Sequence, residues 1–228
     1  MEVDIEHPAP RVLLVLTAVF VLTVFVPWIR GAGFVCDDWM VVAAVHDTPD
    51  PIAQYRGWFS LFAARPLAPA VLVGVSVSCA PFGGGPQTYA FFLTGAWLAA
   101  MALTAVVWRR IAGFRPAVAF FLLAAVPCVA STLIFSVCMQ QLAAWSMLVW
   151  AASLALTVRA AAKPRAGSFA LIAANALLLA GLLIYEIFLP LLLLNIVLPY
   201  RLWASPSRNA SEGEAPDLQR KPVRFVLQ

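Results

Sequence analysis

The 228-residue chain is 63% apolar and only 11% charged, with a mean hydropathy of +0.89, whereas soluble domains carry roughly 25% charged residues and about half apolar ones. The apolar residues stand in long runs, several approaching the roughly 20 needed to cross a hydrocarbon core about 30 Å thick, and too few polar residues remain to coat a soluble core. A sizeable soluble domain is thereby excluded, and the net charge of +4 reports orientation in a bilayer, not affinity for nucleic acid.

The pattern predicts an all-α, polytopic helical bundle. Candidate spans are Arg11–Ile29, Gln87–Trp108, Pro116–Phe135, Gln141–Val158, Ser168–Tyr185 and Ile187–Trp203, which makes about six crossings. Residues 1–203 form the transmembrane domain, with a long loop at 30–86. The polar segment 204–228, which holds Pro206, Pro216 and Pro222, reads as a disordered tail. The acidic start (Glu2, Asp4, Glu6) and the lack of a small-x-small cleavage site after the first run point to a retained anchor.

A seventh apolar stretch, Leu67–Phe82, is short and broken by Pro69, Gly74 and Pro81. About 16 helical residues reach only about 24 Å, so it reads as a re-entrant or interfacial helix. With this segment not crossing and the N-terminus cytoplasmic, Arg11, Arg109, Arg110, Arg115, Arg159, Lys163, Arg165, Arg201, Arg208, Arg220, Lys221 and Arg224 lie inside. Only Arg30, Arg56 and Arg65 of the 15 basic residues stay outside, as the positive-inside rule requires. Charge counting taken alone slightly favours the other layout, in which the segment crosses and loop 30–65 is cytoplasmic.

Three places can carry chemistry. Asp37, Asp38 and Trp39 follow the first span. Adjacent carboxylates at a membrane boundary repel each other unless they are solvated, paired or metal-bound. Either could act as a general base or as an oxygen ligand for Mg²⁺ or Mn²⁺; the plainer reading is a solvated loop capping a helix that starts near Trp39. Arg65, following Trp58, Phe59 and Phe62, could hold a phosphate in a bidentate fork or snorkel to headgroups. Gln140, Gln141 and Glu186 stand at the outer ends of later spans. Glu186 is the only carboxylate between Asp50 and Glu212, which makes it a functional candidate or a headgroup-zone turn residue. Asn175 and Asn195 suit interhelical hydrogen bonds. The four cysteines are widely spaced and do not suggest a metal site; Cys128 suits apolar packing, and a Cys36–Cys79 bridge is conceivable. His7 and His46 lie too far apart in sequence to suggest a histidine dyad, and the Asn209-Ala210-Ser211 sequon falls on the cytoplasmic side.

The order of these features resembles the N-terminal half of GT-C glycosyltransferases: Asp37-Asp38-Trp39 after span one, the non-crossing Arg65-Pro66-Leu67 to Pro81-Phe82-Gly83 segment, then a span ending in Trp108-Arg109-Arg110. The Arg-Pro-Leu element is similar to the bacterial O-antigen glucosyltransferase branch. The resemblance covers residues 10 to 190 and rests on order and topology more than on any one string. It implies a membrane enzyme, in the bacterial inner membrane with both termini cytoplasmic, that moves a sugar from a polyprenyl-phosphate donor to a glycan, lipid or protein acceptor at the outer face. It further implies Asp37 or Asp38 as base or metal ligand, Arg65 at the donor phosphate, and Trp39, Gln140, Gln141 and Glu186 near the substrates. Members of that family usually continue for several more spans, so the resemblance also implies a shortened relative or a chain that needs a partner subunit. A small transporter or channel subunit and a catalytically inactive assembly protein are the alternatives. Transport would require broken helices and polar groups near the midplane, whereas the carboxylates here gather at one surface.

Overall fold

The computed structural model describes residues 10–34, 38–122, 137–162, 167–185, 195 and 197, and every regular element among them is helical. Four long helices form the body: α1 (Pro10–Arg30), α5 (Pro86–Ala112), α7 (Gln140–Ala162) and α8 (Gly167–Ile184). Three short ones, α2 (Asp38–Asp47), α3 (Pro51–Leu61) and α4 (Ala68–Cys79), come between α1 and α5, and the helical residues 114–122 (α6) follow α5. Two stretches, Pro86–Arg110 and Gln140–Ala160, are long and apolar enough to cross a membrane, with mean hydropathies of 2.0 and 1.5. The apolar runs Leu14–Arg30, Ala68–Phe82 and Phe169–Ile184 are shorter.

Local chemistry sets the boundaries. Asp50 caps α3, its carboxylate accepting from the Ile52 and Ala53 N–H groups at 3.1 and 3.2 Å, and Pro51 supplies the fixed φ of the first helical position. Gly83 and Gly84, at φ of 86° and 59°, turn the chain from α4 into α5, and Gly113 at φ 94° ends α5. These left-handed conformations strain residues that carry a Cβ.

Packing partners give the helix directions. Gln141 reaches Tyr89, and one cluster joins Ala100, Met101 and Val107 to Trp150, Leu154 and Val158, so α5 and α7 run parallel. Residues 114–122 fold back against α5, with Phe120 beside Trp108 and Phe121 against the α5–α7 cluster. α8 runs antiparallel to α7: Ser146 donates to the Gly181 carbonyl and Ser153 to that of Ala174, each at 2.7 Å. Asn195 donates to Ser153 Oγ at 2.9 Å, the interhelical role the sequence suggested, whereas Asn175 is exposed. α1 packs antiparallel to α5 through Phe25 and Trp28 against Trp97.

α4 lies across one end of this bundle. Leu67 N–H donates to the Leu183 carbonyl; Ala68 and Leu72 share a cluster with Leu142 and Ile184; and Ser76 accepts from Tyr89. Each of these partners sits in the first or last turns of a long helix. α2 and α3 complete a platform on the same end. At the opposite end stand Arg109 and Arg110 in the last turn of α5, Arg159 in that of α7, and Arg115 at the start of α6. Large apolar side chains face outward from the body, among them Leu14, Leu22, Phe91, Phe169 and Ile172, all more than half exposed. A water-soluble surface seldom presents so much apolar area.

The boundaries expected for four spans agree with α1, α5, α7 and α8 within a few residues. Of the expected span Pro116–Phe135 only 116–122 falls within the described residues, and of Ile187–Trp203 only Asn195 and Val197. The N-terminal nine residues and the tail 204–228, with Asn209, lie outside them.

Candidate functional site

Asp38 opens α2 and is fully buried. Its carboxylate meets the turn that leads into α7: the Val137 and Cys138 N–H groups donate to Oδ2 and Oδ1 at 2.9 and 2.7 Å. These short, charge-assisted bonds bridge about a hundred residues of chain. The carboxylate also faces the positive ends of two helices, α2 and α7, where backbone dipoles favour an anion.

Gln141 anchors the next layer. Also fully buried, it donates from Nε2 to the carbonyls of Tyr89 and Val137 at 2.8 and 3.1 Å and accepts from Trp145 Nε1 at 3.2 Å. The Tyr89 hydroxyl in turn donates to Ser76 Oγ at 2.9 Å. Asp38, Gln141, Tyr89 and Ser76 thus tie α2, α4, α5 and α7 together at one level. Phe34 packs edge-on against both Trp39 and Tyr89, closing this network on the α1 side.

The thiols of Cys79 and Cys138 share this core. Burial raises the Cys79 thiol to about 11, and burial, together with the negative charge of Asp38, pushes Cys138 further up. Both stay protonated and unreactive near neutrality. Cys79 is a free thiol and not half of a bridge to Cys36, a residue outside the described ones.

Arg65 sits in the turn between α3 and α4, half-buried, with its guanidinium 4.7 Å from the centre of the Tyr185 ring. The stacking orients the plane of the guanidinium. Met139 packs against both the cluster around Asp38 and that around Leu142 and Ile184, so the two centres belong to one end of the molecule. No family model matches the chain, and no curated protein or solved structure matches it.

The residues singled out from sequence therefore fall as follows. Asp38, Gln141 and Arg65 come together on the platform end. Trp39 is 60% exposed on α2, and Gln140 is half-buried at the start of α7. Asp37 and Glu186 lie outside the described residues. The solvated-loop reading of Asp38 does not hold: it is a buried clamp on a distant turn. Among the described residues no three His, Cys, Asp or Glu side chains cluster as metal ligands, and both Asp38 oxygens already accept backbone hydrogen bonds, a poor fit to a Mg²⁺ or Mn²⁺ site centred on Asp38. Sequence reasoning passed over Tyr89 and Ser76. Their signal was a hydroxyl pair placed in apolar helices, where burial demands a partner.

Proposed function

We propose that the chain is a membrane glycosyltransferase of the GT-C kind, or a shortened relative of one, taking a sugar from a polyprenyl-phosphate donor at the outer face of a bacterial inner membrane. The supporting observation is the gathering of Asp38, Gln141 and the Arg65–Tyr185 stack on one end of a helical bundle, beneath a platform of short helices. The same reading takes the platform end as external, the arginine-rich end of α5, α6 and α7 as cytoplasmic in keeping with the positive-inside rule, and the bundle as crossing about six times. The position of α4 against terminal turns supports its role as a non-crossing segment.

In this reading the two acidic residues divide the work. Asp38 holds the platform to the start of α7, because its oxygens are taken up by backbone donors. Asp37 is the acting carboxylate: it accepts the proton of the acceptor hydroxyl as that oxygen bonds to the sugar's anomeric carbon. The bond from that carbon to the phosphate oxygen breaks, and polyprenyl phosphate leaves with its negative charge facing Arg65.

The test uses the full chain in nanodiscs with polyprenyl-phosphate-linked glucose, mannose and galactose and a native membrane extract as acceptor source, scoring release of polyprenyl phosphate. Removing a general base costs about a hundredfold or more, so Asp37→Ala should lose that much while remaining folded. Undiminished release by both Asp37→Ala and Arg65→Ala, or a cytoplasmic location of residue 37 in a thiol-accessibility map, overturns the proposal. A second reading, an inactive membrane assembly protein, draws on the complete engagement of Asp38 in structural bonds; no release from any donor by the wild-type chain is the outcome it expects.

A further inference from the structure

Asn175 is the polar residue of α8 that the bundle leaves unused. It stands near the middle of the helix, about 12–14 Å from either end, and apart from Ser168 the rest of α8 holds only apolar side chains and glycines. Its level is that of the bond from Ser153 to the Ala174 carbonyl, which joins the middle of α7 to the middle of α8. α8 turns Ala174, Leu178 and Gly181 towards α7. On the other side of the helix Ile172 and Leu179 are 67% and 57% exposed, and Asn175 and Ala176 are exposed with them. No hydrogen bond joins the Asn175 side chain to any of the described residues.

In a helix that crosses a bilayer, an exposed carboxamide at this depth faces hydrocarbon, where no water meets its donors or its acceptor. The position calls for a polar partner at the same depth. Asn195, the other amide expected to bond between helices, has that partner in Ser153.

The spacing selects a partner for Asn175. Ile172, Asn175 and Leu179 recur at three and then four residues, the seam along which two parallel helices interdigitate. Two copies inserted in the same orientation, related by a twofold axis along the membrane normal, bring each residue of one α8 to the depth of the same residue in the other. Asn175 then meets the second copy's Asn175, and the amide is complementary to itself in partial charge, the N–H of one lying opposite the C=O of the other. A different protein would need a polar group at this depth and in this register, which a second copy has by symmetry. A single asparagine on an apolar seam is also a device that fixes the register of paired helices.

We infer that the exposed face of α8 is a self-association surface, on which two copies of this chain pair in parallel through Ile172, Leu179 and a hydrogen-bonded pair of Asn175 amides. The inference rests on the reading of α8 as a membrane-crossing helix and not on the transferase assignment.

The full chain, carrying a donor or an acceptor dye on a C-terminal tag, is reconstituted in phosphatidylcholine vesicles, and energy transfer is followed as the protein is diluted in lipid. Transfer should fall along a monomer–dimer curve. Asn175→Leu, which keeps the face apolar, should raise the apparent dissociation constant roughly three- to thirtyfold, the worth of one interhelical hydrogen bond in lipid, and Asn175→Gln should restore part of the loss. Asn175→Cys should cross-link to itself under copper–phenanthroline, above the wild-type background, far faster than Val106→Cys at an exposed position of α5. A chain that stays monomeric at every lipid ratio, an Asn175→Leu variant as strongly associated as the wild type, or equal cross-linking at 175 and 106 overturns the inference. The depth of residue 175 separates that failure from failure of the membrane reading. A nitroxide on Asn175→Cys, with one chain per nanodisc, should be relaxed by oxygen and not by an aqueous nickel chelate; the opposite preference overturns the crossing of α8 and the inference together.

Discussion

In the body of the bundle, the side chains that bond from helix to helix among the described residues are neutral and cross a single helix spacing: Ser146 to the Gly181 carbonyl, Ser153 to Ala174, Asn195 to Ser153. On the platform end, a buried carboxylate holds two backbone N–H groups about a hundred residues away, and a buried glutamine joins two elements and an indole. The difference teaches what each region has to solve. Long helices satisfy their own backbone and need only close contact, which small residues and hydroxyls provide. Short helices laid across their ends break the chain repeatedly, exposing turn N–H groups that require acceptors from elsewhere. Charge appears where the backbone is irregular.

The contrast predicts unequal sensitivity. Asp38→Ala leaves two buried N–H donors unmet, each costing about 1–3 kcal/mol, so a loss of roughly 3 kcal/mol is expected in denaturant unfolding of detergent-solubilised protein. Asp38→Asn should recover part of it; equal stability of wild type and Asp38→Ala would mean the platform is not held this way. In the body, Gly181→Leu places a side chain where a Cβ already stands 3.4 Å from the Ser146 carbonyl oxygen, and overpacking of this kind costs about 1–3 kcal/mol. Gln141→Leu keeps volume but strands the Tyr89 carbonyl and the Trp145 N–H; about 1–2 kcal/mol is expected, with a change in tryptophan emission as an independent readout. The smallest loss belongs to Asp50→Ala, about 1 kcal/mol for a lost cap, visible as fraying of α3 in amide hydrogen exchange while α5 and α7 stay protected.

The thiols give a pH test of the platform core. With Cys79 at about 11, the reactive thiolate is a minor species at pH 8, and its fraction grows about tenfold per pH unit up to that value. Alkylation of Cys79 in the folded chain should therefore be slow at pH 8 and rise steeply towards pH 10, whereas Asp38→Ala, by loosening the turn at Cys138, should speed it already at pH 8. Rapid labelling of the wild type at pH 8 would show that the core around Asp38 is open.

Much of the fold was legible. Uninterrupted apolar runs marked α1, α5, α7 and α8 to within a few residues, because a sustained apolar run without breakers carries a single helix through. Pro69, Gly74 and Pro81 singled out the segment that became α4. Of the site, Gln141 was legible as a polar residue at a span boundary, and Arg65 as a cation next to apolar runs. The engagement of Asp38 was not legible. Its partners are backbone N–H groups of Val137 and Cys138, and a backbone donor leaves no mark in the side-chain pattern.

By itself, then, the sequence determined that this chain is helical, how long its helices are and where they break, since hydropathy and turn chemistry act over neighbouring residues. Only the tertiary structure decided that α5 and α7 run parallel, that α4 lies across their ends, and that Asp38 faces inward to a distant turn. Those outcomes depend on which helix faces meet and on which buried backbone groups need a partner, and both arise only when remote segments come together.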